Sequence, residues 1–225
     1  MNESQRLENI KSQIREACLA AGRSESEVKL IAVSKKKNAE MVRAFADLGV
    51  RDFGENYVQE ALPKVEALRD LSLEWHFIGG LQSNKAKFIP GKFSLLHTVD
   101  SISLAEKVDK AAKNAGLVQD CLLEVNISGE GSKSGLEQGG LLPLLARCAG
   151  LGSLNVRGLM CIPAAGLGRA PFAHLRSLLE EANRAAVYPR RLSELSMGMS
   201  GDFKEAILEG STMVRIGTAL FGERE

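Results

Sequence analysis

Three lysines directly follow an apolar segment near the start of the chain. In KLIAVSKKKNAE, residues 30–33 are typical of a buried strand, and Lys35, Lys36 and Lys37 come just after Ser34. If this strand opens into an enclosed mouth, an amine there loses solvation, its pKa falls, and more of it is nucleophilic. Such an amine can form a Schiff base with a carbonyl compound. The alternative interpretation is a solvated turn without chemistry.

The direction in which each lysine points depends on the alternation of side chains along a strand. Lys35 shares a face with Val33, whereas Lys36 shares a face with Ser34. One of the two must therefore point into the mouth and the other away from it. Periodicity alone does not select between them.

Two glycine-containing segments near the end of the chain are typical of an anion site. GMSGD offers the hydroxyl of Ser200 between Gly198 and Gly201, and RIGTALFG offers Gly217 and Thr218 at the start of a short helical turn. Glycine permits close approach of the backbone, and the N–H groups at a helix start favour an anion. Either segment alone could be a simple turn or cap. Together they predict a phosphate site.

Arg215 lies inside the strand pattern MVRIG. A buried arginine is costly unless it is paired or hydrogen-bonded. On an inward position near the phosphate loops, its guanidinium could face a ring nitrogen or a second anion. The alternative is an outward arginine that reaches around a helix.

Five further residues have weaker signals. Asn56 could contact a cofactor or cap the helix that begins near residue 57. His76 is interpreted as a core or strand-end histidine, and Met197 and Met199 as packing residues around a ligand or the core. Lys133 is interpreted as a solvated loop lysine, with a basic group at an anion site as the alternative.

The elements that must position these residues alternate between short strands and longer amphipathic helices. Eight strand patterns are followed by helical patterns, and a further helix over residues 4–20 precedes the first strand. The strands are near-continuous apolar runs, as expected when both faces of a parallel sheet are covered. This predicts an α/β fold, a single (β/α)8 TIM barrel with an extra N-terminal helix and no second domain in residues 1–225. An open doubly wound sheet is the alternative. The strand patterns are KLIAVS, DFG, EWHFIG, LLHTVD, CLLEVNI, NVRGLM, ELSMG and MVRIG, and the helical ones cover residues 39–48, 57–68, 83–88, 104–115, 141–148, 171–186 and 203–209.

A barrel carries its chemistry at the C-terminal ends of its strands. Lys35 follows the first strand, Asn56 the second, Ser200 the seventh, and Gly217 with Thr218 the eighth. We therefore expect these residues to meet at one end of the barrel.

Bulk composition argues against several classes of function. The chain has 225 residues with 29 basic and 28 acidic side chains, so it has no electrostatic footprint for nucleic acid or an anionic membrane. No segment approaches the length of a membrane helix, and the charged N-terminus is not a signal peptide. The four cysteines are scattered and do not cluster with histidines. They indicate reduced thiols in a cytoplasmic protein without a zinc site.

The motifs in order resemble those of the YggS/PROSC family of pyridoxal phosphate homeostasis proteins. They are AVSK, FGENYVQE, EWHFIGGLQSNK, VNIS with KSG, GLMCIP, LSMGMSGD and STMVRIGTALFG, which together span residues 31–222. The resemblance implies a barrel similar to the N-terminal domain of bacterial alanine racemases, with pyridoxal 5′-phosphate (PLP) held as an internal aldimine on Lys35. It further implies that Ser200, Gly217 and Thr218 hold the phosphate, that Arg215 faces the pyridine nitrogen, and that Asn56 is a further contact.

The function that this resemblance implies is PLP homeostasis without catalytic turnover. An arginine beside the pyridine nitrogen disfavours its protonation and weakens the ring as an electron sink. Alanine racemases compensate with two bases, one of them from a second domain that we do not expect in this chain. We therefore expect a monomeric carrier that supplies PLP to apo-enzymes. The alternatives are a PLP-dependent amino-acid racemase and, more distantly, a class I aldolase-type barrel in which Lys35 binds a phosphosugar.

Overall fold

The computed structural model describes residues 1–129 and 134–222, and its centre is a closed barrel of eight parallel strands. The last strand pairs with the first in parallel, with Ile31 opposite Arg215. Closure confirms the predicted (β/α)8 barrel, and the open-sheet alternative is wrong. The strands are β1 (Lys29–Val33), β2 (Asp52–Glu55), β3 (Glu74–Phe77), β4 (Leu95–Val99), β5 (Gln119–Glu124), β6 (Leu154–Met160), β7 (Glu194–Ser196) and β8 (Met213–Ile216).

Helices follow the strands around the outside of the barrel. The predicted N-terminal helix begins one residue earlier than expected, at Glu3, because Asn2 and Gln5 form a reciprocal capping box. It packs against the last two helices of the described chain. The α-helices are α1 (Glu3–Ala20), α2 (Ala39–Asp47), α3 (Val58–Ala67), α4 (Ile102–Asn114), α5 (Leu141–Cys148), α6 (Ala170–Ala185), α7 (Phe203–Leu208) and α8 (Thr218–Phe221).

Most predicted elements differ from the observed ones by no more than about two residues at either end, and two others differ further. The segment Ser83–Phe88 between β3 and β4 is a 3₁₀-helix, the form that short helical connectors commonly take. The fifth strand ends at Glu124 instead of continuing to residue 127. The reason is that the chain pairs there with its own later part, where the Leu136 N–H donates to the Glu124 carbonyl and the Asn126 N–H donates to the Leu136 carbonyl.

The apolar core has two layers, as the alternation of strand side chains requires. A small cluster fills the inside of the barrel and consists of Ile31, Leu95, Leu122, Met160 and Met213. The larger layer lies between the barrel and the helices. There, the rings of Phe45 and Phe221 lie 4.6 Å apart and join α2 to α8.

The described helices include none with the length and apolar character needed to cross a bilayer. All four cysteines are buried and free, at positions 18, 121, 148 and 161.

Candidate functional site

A cavity of about 280 Å³ opens at the C-terminal mouth of the barrel. Its wall contains the side chains or backbone of every site residue that the sequence predicted. These are Lys35, Asn56, Ser200, Arg215, Gly217 and Thr218, joined by the apolar residues Val33, Ile78, Ile162 and Met199. The cavity therefore brings together residues from both ends of the chain, as the barrel arrangement predicted.

Lys35 is the lysine that reaches this cavity. It continues the face of β1 that carries Ile31, which is part of the cluster inside the barrel. Lys35 is half-buried and lines the cavity, whereas Lys36 is exposed and has a left-handed backbone with φ of 60°. The Lys36 N–H donates to the Glu60 carboxylate. The structure thus resolves the choice that periodicity left open.

A buried ion pair supports the residue immediately before Lys35. The Lys64 ammonium donates to Glu55 Oε1 at 2.5 Å and to the Ser34 carbonyl at 2.9 Å. The Ser34 hydroxyl donates to the same carboxylate oxygen at 2.6 Å. Burial raises the pKa of Glu55, and the Lys64 ammonium opposes this rise without cancelling it. The ion pair fixes the residue that precedes Lys35 and so orients its side chain.

The sequence analysis missed both members of this pair, although a signal was present. Lys64 lies on the same face of α3 as the buried residues Val58 and Ala61, at the spacing of an apolar stripe. A lysine at such a position needs a buried partner, and Glu55, which follows the buried residues Phe53 and Gly54 of β2, is the complementary signal.

The end of the cavity predicted to bind phosphate is formed by the loops after β7 and β8. Ser200 and Thr218 are exposed there. The loop after β7 turns sharply at Gly198, which has φ of 94° and where a Cβ atom would lie 2.6 Å from the Cβ of Ala206. Only glycine fits both the conformation and the space. The backbone N–H of Arg215 donates to the Gly198 carbonyl at 3.0 Å, and this bond connects the loop to β8.

Arg215 points into the barrel beneath the cavity, so the outward alternative is wrong. Its Nη1 donates to the Ser196 hydroxyl at 2.6 Å and its Nη2 to the Cys161 carbonyl at 2.9 Å. Only 4% of the residue is exposed. Burial lowers the pKa of the guanidinium from its ordinary value, and the hydrogen bonds offset part of the desolvation cost.

Asn56 does not cap the helix that follows it, so that interpretation is wrong. Tyr57 occupies the cap position and makes no side-chain cap bond. The Oδ1 atom of Asn56 is buried and has no hydrogen-bond partner among the described residues. Gly79 allows the backbone of the neighbouring strand to pass against Asn56, because a Cβ there would lie 2.2 Å from the Asn56 carbonyl oxygen. Asn56 thus lines the cavity as a residue and holds a buried acceptor that is unsatisfied among the described residues.

Glu124 is a third charged residue that the sequence analysis missed. It ends β5 on the face of Leu122, which belongs to the cluster inside the barrel, and only 4% of it is exposed. Burial raises the pKa of its carboxyl to about 7, with Asp100 adding to the rise and Arg215 opposing it. The signal was a lone acidic residue in the apolar run CLLEVNI.

The other residues with weak sequence signals are Met197, Met199, His76 and Lys133. Met197 is fully buried in the outer core, while Met199 lines the cavity. His76 is a buried, hydrogen-bonded core histidine, as predicted. Lys133 lies outside the described residues.

A larger cavity of about 490 Å³ lies at the opposite, N-terminal end of the barrel. Several of its charged groups are paired with one another, for example Arg157 with Asp120 at 2.8 Å and Arg23 with Glu27 at 3.4 Å. Since barrel proteins carry their active sites at the C-terminal end, we assign the functional site to the smaller cavity that contains Lys35.

The fold and the site together define a (β/α)8 barrel with a lysine inside its mouth, a buried arginine beneath it and two polar loops at its edge. The family model described as alanine racemase, N-terminal domain, matches residues 6–225. A curated relative from Aquifex aeolicus is 46% identical over 229 residues, with 100% of both chains covered. Another, from Pseudomonas aeruginosa, is 46% identical and covers 99% of this chain and 96% of its own. Both are named pyridoxal phosphate homeostasis protein. The chain belongs to this family, as the motifs indicated.

Solved structures agree with this assignment. PipY from Synechococcus elongatus, described with PLP bound, has a TM-score of 0.87 and 39% identity and covers 98% of this chain and 100% of its own. An alanine racemase from Clostridium difficile has a TM-score of 0.73 at 15% identity. This chain spans 57% of that racemase, and the likeness shows a shared barrel fold.

Proposed function

We propose that this protein binds PLP at the C-terminal mouth of its barrel and takes part in intracellular PLP homeostasis by supplying the cofactor to apo-enzymes. The observation that carries the proposal is the single cavity that contains all the predicted contacts, among them a half-buried lysine. The names of the curated relatives and the PLP-bound PipY support the same ligand. The proposal treats residues 1–225 as one cofactor-binding unit that acts as a monomer in the cytoplasm.

The residues present fit this cofactor. When bound, PLP supplies an aldehyde that condenses with a primary amine and a ring that withdraws electrons. In our proposal Lys35 holds the aldehyde carbon, while Ser200 and the backbone of Gly217 and Thr218 hold the phosphate. Asn56, which lines the same cavity, is a further contact in this proposal.

Arg215 is the reason to propose a carrier without catalytic turnover. A guanidinium is a donor only and remains protonated, so beside a pyridine nitrogen it disfavours protonation of that nitrogen. The ring is then a weaker sink for the electrons of a carbanion. The bond to Ser196 and the bond to the Cys161 carbonyl hold the guanidinium in place. This arrangement suits storage and release of PLP better than rapid chemistry on it.

The site assignment is tested by comparing two adjacent lysines. Lys35→Ala should abolish the visible absorbance band that the protein acquires with PLP, because the amine that binds the aldehyde is removed. Lys36→Ala is the matched control and should keep the band, because Lys36 is exposed outside the cavity. A band that survives in Lys35→Ala and is lost in Lys36→Ala would reverse the assignment. A phosphosugar aldolase would show no PLP band in any variant.

The carrier function is tested by transfer of PLP to an apo-enzyme. The PLP-loaded protein should reactivate an apo-aminotransferase faster than the same concentration of free PLP. Racemisation of amino acids at rates typical of enzymes, about 1 per second or more, would instead favour the racemase alternative. Loaded protein that reactivates no faster than free PLP would contradict the carrier proposal.

A further inference from the structure

A continuous chain of hydrogen bonds crosses the barrel from Arg215 to the N-terminal face. The Ser196 hydroxyl, which accepts from Arg215, lies 2.9 Å from His97 Nδ1. His97 Nε2 lies 3.0 Å from His76 Nδ1, and His76 Nε2 lies 3.0 Å from Asp52 Oδ1. The Lys29 ammonium pairs with the same Asp52 oxygen at 2.9 Å.

This chain is shielded from water over most of its length. Ser196 and His97 have no exposed surface, and only 2% of His76 is exposed. The side chain of Lys29 is 42% exposed, so the chain reaches solvent at the N-terminal end of the barrel. Buried polar groups of this kind are costly when only part of the network is satisfied.

The two ends of this hydrogen-bond chain fix the hydrogens nearest to them. Arg215 can only donate, so the Ser196 oxygen accepts from it. Burial opposes ionisation of Asp52, but its bonds to His76 and Lys29 outweigh this and hold its pKa below the ordinary value. Asp52 is therefore an acceptor, and His76 must carry its hydrogen on Nε2.

Between these ends, two neutral imidazoles complete the chain without a conflict. Nδ1 of His76 accepts from Nε2–H of His97, and Nδ1 of His97 accepts from the Ser196 hydroxyl. Burial lowers the pKa of His97 well below its ordinary value of 6.5, with His76 and then Arg215 contributing, which agrees with a neutral His97 ring. A doubly protonated His76 would instead donate to His97 Nε2, and His97 Nδ1 would become a second donor to the Ser196 oxygen, which has two lone pairs and can accept from both His97 and Arg215. The two arrangements therefore differ in the tautomer of His97.

We propose that His97 and Ser196, supported by His76 and Asp52, are positioning residues that hold the guanidinium of Arg215 beneath the cofactor cavity. The link to PLP rests on the proposed function, but the direction of the hydrogen bonds from Arg215 to Asp52 does not. The Cys161 carbonyl holds one guanidinium nitrogen and Ser196 holds the other. Loss of the Ser196 bond would leave Arg215 fixed at one nitrogen and free to tilt.

The first test uses the protein without PLP. Nitrogen chemical shifts of the imidazole rings should show both His76 and His97 as neutral tautomers with the hydrogen on Nε2 at neutral pH. A tautomer with the hydrogen on Nδ1, or a doubly protonated ring, would overturn the proposed orientation. Because no cofactor is present, this result does not depend on whether the proposed function is correct.

The second test removes the contact to Arg215 in variants with matched controls. His97→Leu keeps the approximate size but removes both ring nitrogens, and His97→Asn restores an acceptor near the position of Nδ1. Ser196→Ala removes only the hydroxyl. Ser211→Ala is the control. The Ser211 hydroxyl is equally buried, but it bonds to backbone carbonyls that are not part of the hydrogen-bond chain, including that of Met197.

The expected results separate a positioning role from simple packing. In His97→Leu and Ser196→Ala, the guanidinium NMR signals of Arg215 should shift and broaden in the PLP-free protein. The absorbance maximum of bound PLP should also move, with affinity about tenfold weaker, as loss of one bond to a charged group implies. His97→Asn should restore both readouts in part, and Ser211→Ala should change neither. Unchanged Arg215 signals in folded Ser196→Ala would overturn the proposal even if His97→Leu fails to fold.

Discussion

Replacement of Lys64 by methionine tests the buried ion pair that supports Lys35. Lys64 Nζ lies 2.5 Å from Glu55 Oε1, and the two side chains are 5% and 0% exposed. At an effective dielectric constant of about 20, charges at this distance attract by roughly 7 kcal/mol before desolvation is subtracted. Lys64→Met keeps the length of the side chain but leaves the Glu55 carboxyl buried without its partner. We expect the free energy of unfolding to fall by about 3–5 kcal/mol.

The assay is equilibrium unfolding in urea, followed by fluorescence of Trp75, the single tryptophan of the chain. Arg69→Met is the matched control, because Arg69 lies 2.7 Å from Glu66 but the side chains are 78% and 60% exposed. Water screens that pair, so its loss should cost less than about 1 kcal/mol. The two variants thus compare the same chemistry at two levels of burial.

A double-mutant cycle separates the charge interaction from packing. Glu55→Gln in the Lys64→Met background removes the second charge while its amide oxygen can still accept from the Ser34 hydroxyl. The double variant should be more stable than Lys64→Met, with a coupling free energy of about 2–3 kcal/mol. The loss of unfolding free energy in Lys64→Met, relative to wild type, should also grow as the pH rises. The reason is that the unpaired Glu55 carboxyl avoids the cost of burying a charge only while it is protonated.

A free energy of unfolding of Lys64→Met that lies within about 1 kcal/mol of the wild-type value at neutral pH would contradict the predicted role of the ion pair. That role is equally contradicted if the effects of the two single substitutions simply add. Either result would mean that water or local rearrangement already satisfies the Glu55 carboxylate. The support that this pair gives to Lys35 would then be negligible.

Three further predictions concern the barrel mouth and the core. Burial raises the pKa of Glu124 to about 7, above its ordinary value of 4.5, so its contribution to stability should be lost as the pH rises from about 5 to 7. Glu124→Gln should flatten this decline and be more stable than wild type by at most about 3 kcal/mol above neutral pH, measured by urea unfolding at several pH values. Gly198→Ala should cost about 2–4 kcal/mol and weaken PLP binding, because its Cβ would lie 2.6 Å from another Cβ at φ of 94°. Gly201→Ala, where a Cβ would meet no atom within 4 Å, is its control, and equal effects would contradict the steric argument. Phe45→Ala should lower the free energy of unfolding by about 3–5 kcal/mol, since Phe45 is fully buried against another ring; a loss below 1 kcal/mol would indicate that the site collapses around the smaller side chain.

Local pattern was sufficient to predict the elements of the fold. Continuous apolar runs mark strands with both faces covered, and their alternation with amphipathic helices allows few arrangements other than a barrel. The segment Leu141–Cys148, for example, was predicted with its observed ends. The ends of strands and helices that are set by contacts with distant segments were predicted less accurately. The fifth strand stops early because Leu136 pairs with Glu124, and the spacing of apolar residues does not encode that pairing.

The sequence by itself determined the fold class, the family and the set of residues at the mouth, because these depend on residue type and on order along the chain. Periodicity left open whether Lys35 or Lys36 points inward, whether Asn56 caps a helix and whether Arg215 points into the barrel, and the tertiary structure decided each of these. Each of these outcomes depends on which strand face becomes the inside when β8 closes on β1. His97 and Ser196, 99 positions apart, meet only because closure places them across the same interior. A contact of that kind arises from barrel geometry, and the periodicity of residues along the sequence does not predict it.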